Sequence, residues 1–437
     1  MLMKTDIVIV LAQRGWQAVS GVITIMMVAH FLTPELQGWY YSFLSIAALY
    51  TLFDLGLSLV VVQLAAHLFV DLSWGKLGRP EGAGAARFLQ FTRQICQHYR
   101  LLACAFALLA IPGGYLFFSN QIPVHGVVIE WRFAWLALAI ATSLAIFSLP
   151  ALAIVEGSGN IKEVHQIRLI QGVLGSISCW LVLINGGGLW ATAMPAFMSV
   201  CTVSFWIVTR RPQMIDRNTS VGKIHWKTEI WPLQWKIGLS WLSGYLLTAI
   251  YTPILFHYQG ATVAGQMGLT LTIANMLGFL AQSWITRHVP VMAQLAAKRE
   301  WLAMDALFKR DFILSTMALL LGAGGLCVLY LLLQYTPYQH RMLSFLPFAG
   351  LLGVALLNHL VAALAIQLRS YKQEPLVWVA VAASCITVPC AIWASKTYSA
   401  DGVVATILCV QFCISLPISI LIWRKSNKKW RAQFNAS

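Results

Sequence analysis

The chain has 437 residues, 59% hydrophobic and only 10% charged, and a formal net charge of +15. A soluble domain carries roughly 25% charged residues, so this composition, with a mean hydropathy of +0.72, excludes an ordinary soluble globular fold. The positive charge does not point to nucleic acid either: cations that flank apolar segments fix topology and touch anionic headgroups.

Apolar stretches long enough to cross a ~30 Å hydrocarbon core as helices recur along the whole sequence. The first half predicts spans over 7–31, 39–68, 99–119, 132–155, 165–184 and 189–209. The second half predicts 233–257, 265–288, 312–335, 343–367, 375–395 and 402–423. The fold class is therefore all-α, a polytopic membrane protein of about twelve transmembrane helices. Its expected parts are an N-terminal six-helix lobe (1–209), a polar linker containing Pro212 (210–230), a C-terminal six-helix lobe (231–424) and a basic tail (425–437).

Of the 30 Lys and Arg residues, all but Arg14, Arg132, Arg341 and Lys396 fall in or beside one alternating set of loops. The excess of cations on the cytoplasmic side of membrane proteins places that set, and both termini, in the cytoplasm. The first span is too long for a cleaved signal peptide, carries an arginine and lacks a small-residue cleavage site. Segments 83–100 and 292–310 carry apolar residues or cations at near-helical spacing. They read as interfacial helices lying in the headgroups.

The opposite loops are too short to fold into a domain. The sequence shows no paired carboxylates, no nucleophile beside a base, no metal-ligand cluster and no phosphate-binding glycine loop. The nine cysteines form no CxxC pair and read as small apolar packing residues. Neither an enzyme, a cofactor nor a metal site is expected, and no nucleotide-binding domain is present to drive a pump. A secondary transporter or flippase remains. The rivals are a membrane glycan polymerase, which would rely on outer-loop residues such as Glu130, Arg132 and Arg341, and a scaffold without transport.

The two halves echo each other. QRGWQAVSG (13–21) opens the first span and QWKIGLSWLSG (234–244) the seventh. Each is followed by a short outer loop whose last glycine opens the next span, in LTPELQGWYYSFLSI (32–46) and QGATVAGQMGLTLTI (259–273). A parallel six-plus-six repeat leaves such a trace and builds two lobes around a central cavity.

Charges within spans single out the candidate site. Arg14 lies about seven residues into the first span, ~10 Å along a helix. A buried arginine at a helix centre costs ~2.5–3.5 kcal/mol and is kept where it pairs or meets a ligand. Asp54, in LFDLGL (52–57), is the one carboxylate expected deep within a span and the natural partner for Arg14. The pair either fixes packing or acts in transport. Lys236 and Arg287 would join Arg14 around the cytoplasmic mouth of the cavity, or snorkel to lipid phosphate. Gln13, Gln17, Asn275 and His359 either line a wet cavity or hydrogen-bond between helices. Gln13 and Gln17, four apart, share a helix face.

Three stretches carry a family resemblance: AHFLTPELQGWYYSFLSIAALYTLFDLGLSLVVVQLAAH (29–67), VEGSGNIKEVHQIRLIQG (155–172), and IWPLQWKIGLSWLSGYL (230–246) with AGQMGLTLTI (264–273). The chain resembles the polysaccharide and O-antigen flippases of the multidrug/oligosaccharidyl-lipid/polysaccharide exporter superfamily. The resemblance implies two six-helix lobes in a bacterial inner membrane and a polyprenyl-pyrophosphate oligosaccharide as substrate. It also implies a central cavity whose cations bind the pyrophosphate, with Arg14 and Asp54 where related lipid flippases carry functional charges. Membrane lipids, a glycan polymerase and assembly proteins are the partners it suggests. A drug/cation antiporter of the same superfamily is the alternative, although such a protein wants acidic cavity residues.

Overall fold

A computed structural model describes residues 2–120, 129–214, 231–371 and 374–436. The chain is a succession of helices, because a segment in hydrocarbon must satisfy its backbone N–H and C=O groups internally. The first span is α1 (Leu2–Phe31). Thr33 then caps the next helix, its hydroxyl accepting from the Leu36 N–H at 3.2 Å, with Pro34 in the first turn. The second span is broken into α2 (Pro34–Ala47), α3 (Tyr50–Asp54) and α4 (Leu57–Leu68). The first half continues with α5 (Ala85–Ser119), α6 (Arg132–Gly157), α7 (Ile161–Ile184) and α8 (Met194–Arg210).

The second half starts with α9 (Trp231–Thr248) and α10 (Tyr251–Gln259), bent by 40° at their junction. It continues with α11 (Ala261–Thr286), α12 (Val289–Ala297), α13 (Trp301–Leu333) and α14 (Phe345–Arg369). It ends with α15 (Val377–Val410), a π-turn over Gln411–Ser415 and α16 (Leu416–Ala436). Among the described residues, nine helices are long and apolar enough to cross a membrane, or ten with the bent pair α9–α10 taken as one. The longest, Val377–Arg431, breaks at Ser399 (φ 54°, ψ −142°), inside the loop expected over 396–401. With the shorter apolar helix α8, every expected span has its helix. The protein is a multi-pass, all-α membrane protein.

Two compact units divide the chain. The first comprises Met1–Leu36 and Phe43–Tyr245, the second Gln37–Ser42 and Leu246–Ser437. In the first unit, α4, α5 and α6 enclose a core of Leu57, Val60, Val61, Phe88, Phe91, Ile95, Tyr99 and Ile154. This core corrects the interfacial reading of 83–100. That segment is the start of a 35-residue helix, and its apolar face of Phe88, Phe91, Ile95 and Tyr99 is buried in protein, not in headgroups. Periodicity showed an apolar face without showing what covers it.

A short antiparallel hairpin, β1 (Leu72–Trp74) with β2 (Pro80–Gly82), was not expected from the sequence. Trp74 anchors it, donating from its indole N–H to Ser158 Oγ at 2.9 Å. The buried Arg211 stacks on the Trp74 ring at 4.4 Å and pairs with Glu163. Residues 215–230 of the expected linker lie outside the described residues.

In the second unit, Met292 of α12, Met304 and Phe308 of α13, and Ala363 and Leu364 of α14 form the core with Ile285. The expected interfacial segment 292–310 is thus also packed on protein: Arg299 (φ 63°) separates α12 from α13. The tail helix α16 is tied back by Arg431, which donates to both Asp305 oxygens at 2.8 and 2.6 Å.

Gly38 and Gly265, expected at the ends of outer loops, lie inside the first turns of α2 and α11 and meet in this unit. A Cβ on Gly38 would lie 1.8 Å from the Ala261 carbonyl oxygen, and one on Gly265 would lie 2.7 Å from the Gly38 nitrogen. Glycine permits this backbone approach between helices. Both obstacles are backbone atoms, which cannot rotate away. Gly38→Val should therefore cost at least the ~1–3 kcal/mol of an overpacked core and lower the melting temperature of detergent-purified protein. Gly278→Ala, on α11 with open space around it, should leave that temperature unchanged or raise it.

Candidate functional site

Helix α1 presents one face to α7. On that face the Gln13 side chain is buried, and its Oε1 lies 2.5 Å from His165 Nδ1. A carboxamide oxygen only accepts, so the imidazole donates from Nδ1. Farther along, Trp180 donates from its indole N–H to Thr24 Oγ1 at 2.9 Å, and Trp16 stacks obliquely on Trp180. Arg14 follows Gln13 and so projects ~100° around the helix. It is exposed on the side of α1 turned from this contact, yet near enough for its charge to act on His165.

Arg168, one turn after His165, donates from Nη2 to Glu156 Oε2 at 2.7 Å. Arg14, His165 and Arg168 thus gather three basic side chains beside a single carboxylate. Gln17, expected to share the face of Gln13, is exposed. The 40° drift of an i,i+4 pair carries it off the α7 contact.

Asp54 is buried, 3% exposed, at the break between α3 and α4. The break has a local cause: Leu55 (φ 45°) and Gly56 (φ 68°) are both left-handed, which interrupts the helical ladder. A Cβ on Gly56 would strike Ile237 Cγ2 at 2.1 Å, so glycine is required both for its backbone angles and for this contact. The expected Arg14–Asp54 pair does not form. Tyr99 donates its hydroxyl to Asp54 Oδ1 at 2.5 Å and Ser58 donates to Oδ2 at 2.8 Å. Neighbouring spans in sequence gave no information about the third span, from which Tyr99 reaches the carboxylate. No ion pair of Arg14 occurs among the described residues.

The Lys236 side chain lies outside the described residues. Arg287 caps the C-terminus of α11 and is exposed, as is Asn275 on the same helix, twelve residues or ~18 Å away. His359 is buried in α14 beside Ser315 of α13, Nε2 to Oγ 3.1 Å. The sequence reading missed the His165–Arg168–Glu156 group, although HQIR and the preceding glutamate place them near a span end. It also missed Asp311, fully buried in α13, because the span was drawn to start one residue later.

No family model and no curated protein matches the sequence. The fold does match solved structures. An inward-facing multidrug resistance MATE family transporter of the MOP superfamily aligns with a TM-score of 0.71 at 12% identity, over 97% of this chain and 98% of that one. The chain has the fold of the MOP-superfamily transporters. The lipid II flippase MurJ, in an inward closed conformation, aligns with a TM-score of 0.69 at 15% identity, over 95% and 87% of the two chains. A MOP superfamily transporter from Pyrococcus furiosus, described as having a binding pocket of reversed polarity, aligns with a TM-score of 0.57 at 12% identity, over 97% and 95%. The MOP fold thus accounts for the chain from end to end, and the polar groups of α1, α3–α4 and α7 are what this sequence places on it.

The Asp54 contacts generate a direct expectation. Hydrogen bonds to a charged group contribute about 1.5–3 kcal/mol. Tyr99→Phe should lower the stability of the purified protein by about that amount, and adding Asp54→Asn should cost less than the sum of the two single changes. Thermal melts of the two single variants and the double variant measure the coupling.

Proposed function

We propose that the protein is a flippase that moves a polyprenyl-pyrophosphate-linked oligosaccharide from the cytoplasmic to the outer leaflet of a bacterial inner membrane by alternating access. The supporting observation is the charge balance of the α1–α7 region. The buried carboxylate of Asp54 is occupied by two hydroxyls, so it does not cancel Arg14. An arginine within a span, with His165 and Arg168 close by, suits a phosphate, to which guanidinium groups make strong, oriented hydrogen bonds. Lys236 and Arg287 are proposed to add positive charge from the second half. The cation-rich loops are taken as cytoplasmic, and the two lobes as residues 1–209 and 231–424 joined by 210–230.

The energetics allow flipping without ATP. The bilayer rejects the sugar hydroxyls and the pyrophosphate, while the polyprenyl tail is at home in it. A polar chamber replaces the water the headgroup loses. A potential negative inside favours outward movement of an anion by roughly 2.3 kcal/mol per charge per 100 mV, hence ~4–5 kcal/mol for two charges. The rival reading, a drug/cation antiporter, is supported by the likeness to the MATE transporter. It would want a free acid in the chamber.

Arg14→Ala in cells that need the surface glycan should abolish or strongly reduce that glycan at unchanged protein level, with Arg14→Lys retaining part of it. Normal surface glycan in the alanine variant would remove the proposed role. Altered resistance to cationic drugs, with glycan intact, would favour the antiporter.

A further inference from the structure

A second polar group lies in the second unit, within a hydrophobic core. Asp311 of α13 is fully buried, and its Oδ2 lies 2.5 Å from Nδ1 of His288, whose side chain is 25% exposed. Its Oδ1 accepts from Nε and Nη2 of the exposed Arg310 at 3.3 and 3.2 Å. Four residues along α13, Ser315 is buried and donates its hydroxyl to the Phe312 carbonyl at 3.0 Å. Its oxygen therefore accepts from Nε2 of His359, 3.1 Å away. With the hydroxyl hydrogen on the Phe312 carbonyl, the imidazole carries its proton on Nε2 and Nδ1 is a lone pair. His359 is 3% exposed, and this Nδ1 has no hydrogen-bond partner among the described residues. A buried basic nitrogen without a donor costs free energy unless it is occupied some of the time.

From these contacts we infer that the second unit holds a two-station proton-binding site, with His288–Asp311 as the outer station and Ser315–His359 as the inner one. The stations lie one helical turn apart, ~6 Å along α13. A proton taken up at His288 Nε2 lets the Nδ1 proton pass to Asp311 Oδ2. Only N–H and O–H bonds change, and the station gains one proton and one positive charge. The inner station accepts its proton at His359 Nδ1, ten residues or ~15 Å from the end of α14. On the topology proposed above, His288 opens to the cytoplasm and His359 lies within the membrane, so the site would serve as a coupling device for transport. Ionisable residues in spans commonly mark proton paths.

The surroundings favour a proton over a metal cation. The cations nearest the stations along the chain are Arg287, beside His288 at the end of α11, and Lys309 and Arg310, beside Asp311. Beyond these come Asp305 of α13, held by Arg431 of α16, and Arg369 of α14, paired with Glu374; α12 offers none. A carboxylate already engaged by a guanidinium, with no group of three or more metal-ligating side chains among the described residues, is a poor cation cage.

The test is nuclear magnetic resonance of ¹⁵N-histidine in the full-length protein in lipid nanodiscs, with the two signals assigned by His288→Gln and His359→Gln. Both rings should titrate. Asp311→Asn should move both titration midpoints by about one pH unit, whereas Ser315→Ala, a milder change, should move that of His359 and leave His288 in place. Replacing sodium chloride by choline chloride should change neither curve. A His359 ring that does not titrate, or that ignores both Asp311→Asn and Ser315→Ala, would overturn the proposal, as would a sodium dependence. This measurement needs no glycan, so its failure and that of the Arg14 experiment are separate outcomes.

Discussion

Hydrocarbon offers polar groups no water, so each one inside the membrane must find its partner within the protein. This constraint makes the backbone helical throughout the spans. It also makes the few breaks in the helices informative. At Asp54–Gly56 the chain gives up helical hydrogen bonds in mid-span, and the buried carboxylate there is met by Tyr99 and Ser58. At Ser399 the chain turns between two spans. A break that a side-chain network compensates is where a membrane helix can hold a polar ligand or change shape.

The ionisable residues fall into groups with different chemistry. Around α1 and α7, basic side chains outnumber acids, and Arg14 stands apart from the buried carboxylate. Around α13 and α14, an acid, two imidazoles and a hydroxyl form two hydrogen-bonded pairs one helical turn apart. On the proposed function the first group serves an anionic headgroup and the second serves protons. The two tasks are physically separable: one needs fixed charge that a phosphate can approach, the other needs groups that change charge at little cost.

Close packing ties these groups to the fold. Gly38 and Gly265 bring two helix starts into backbone contact, and Gly268 makes room for the Tyr41 side chain. The buried Gln37 fixes this corner, donating from Nε2 to the carbonyl oxygens of Gly265 and Arg341, each at 2.9 Å. Contacts of this kind have few intermediate arrangements, because a well-packed interface either fits or separates. Gly38 of QGWYYSFLSI and Gly265 of AGQMGLTLTI are thus in direct backbone contact.

The sequence by itself determined the class and the crossings, because hydrocarbon thickness imposes a length and a polarity that any apolar run displays. It also marked the positions of interest along single helices: Arg14, Asp54, His359 and the paired glycines. It did not determine who meets whom. Asp54 took Tyr99 from a distant helix in place of Arg14, Gln13 took His165, and Asp311 escaped notice by lying at the drawn edge of a span. The amphipathic segments 83–100 and 292–310 showed an apolar face but not whether lipid or protein would cover it. Those outcomes rest on helix rotation and on contacts between residues far apart in the chain. Only tertiary packing decides them, since a helix carries the same side chains whichever neighbour it turns towards.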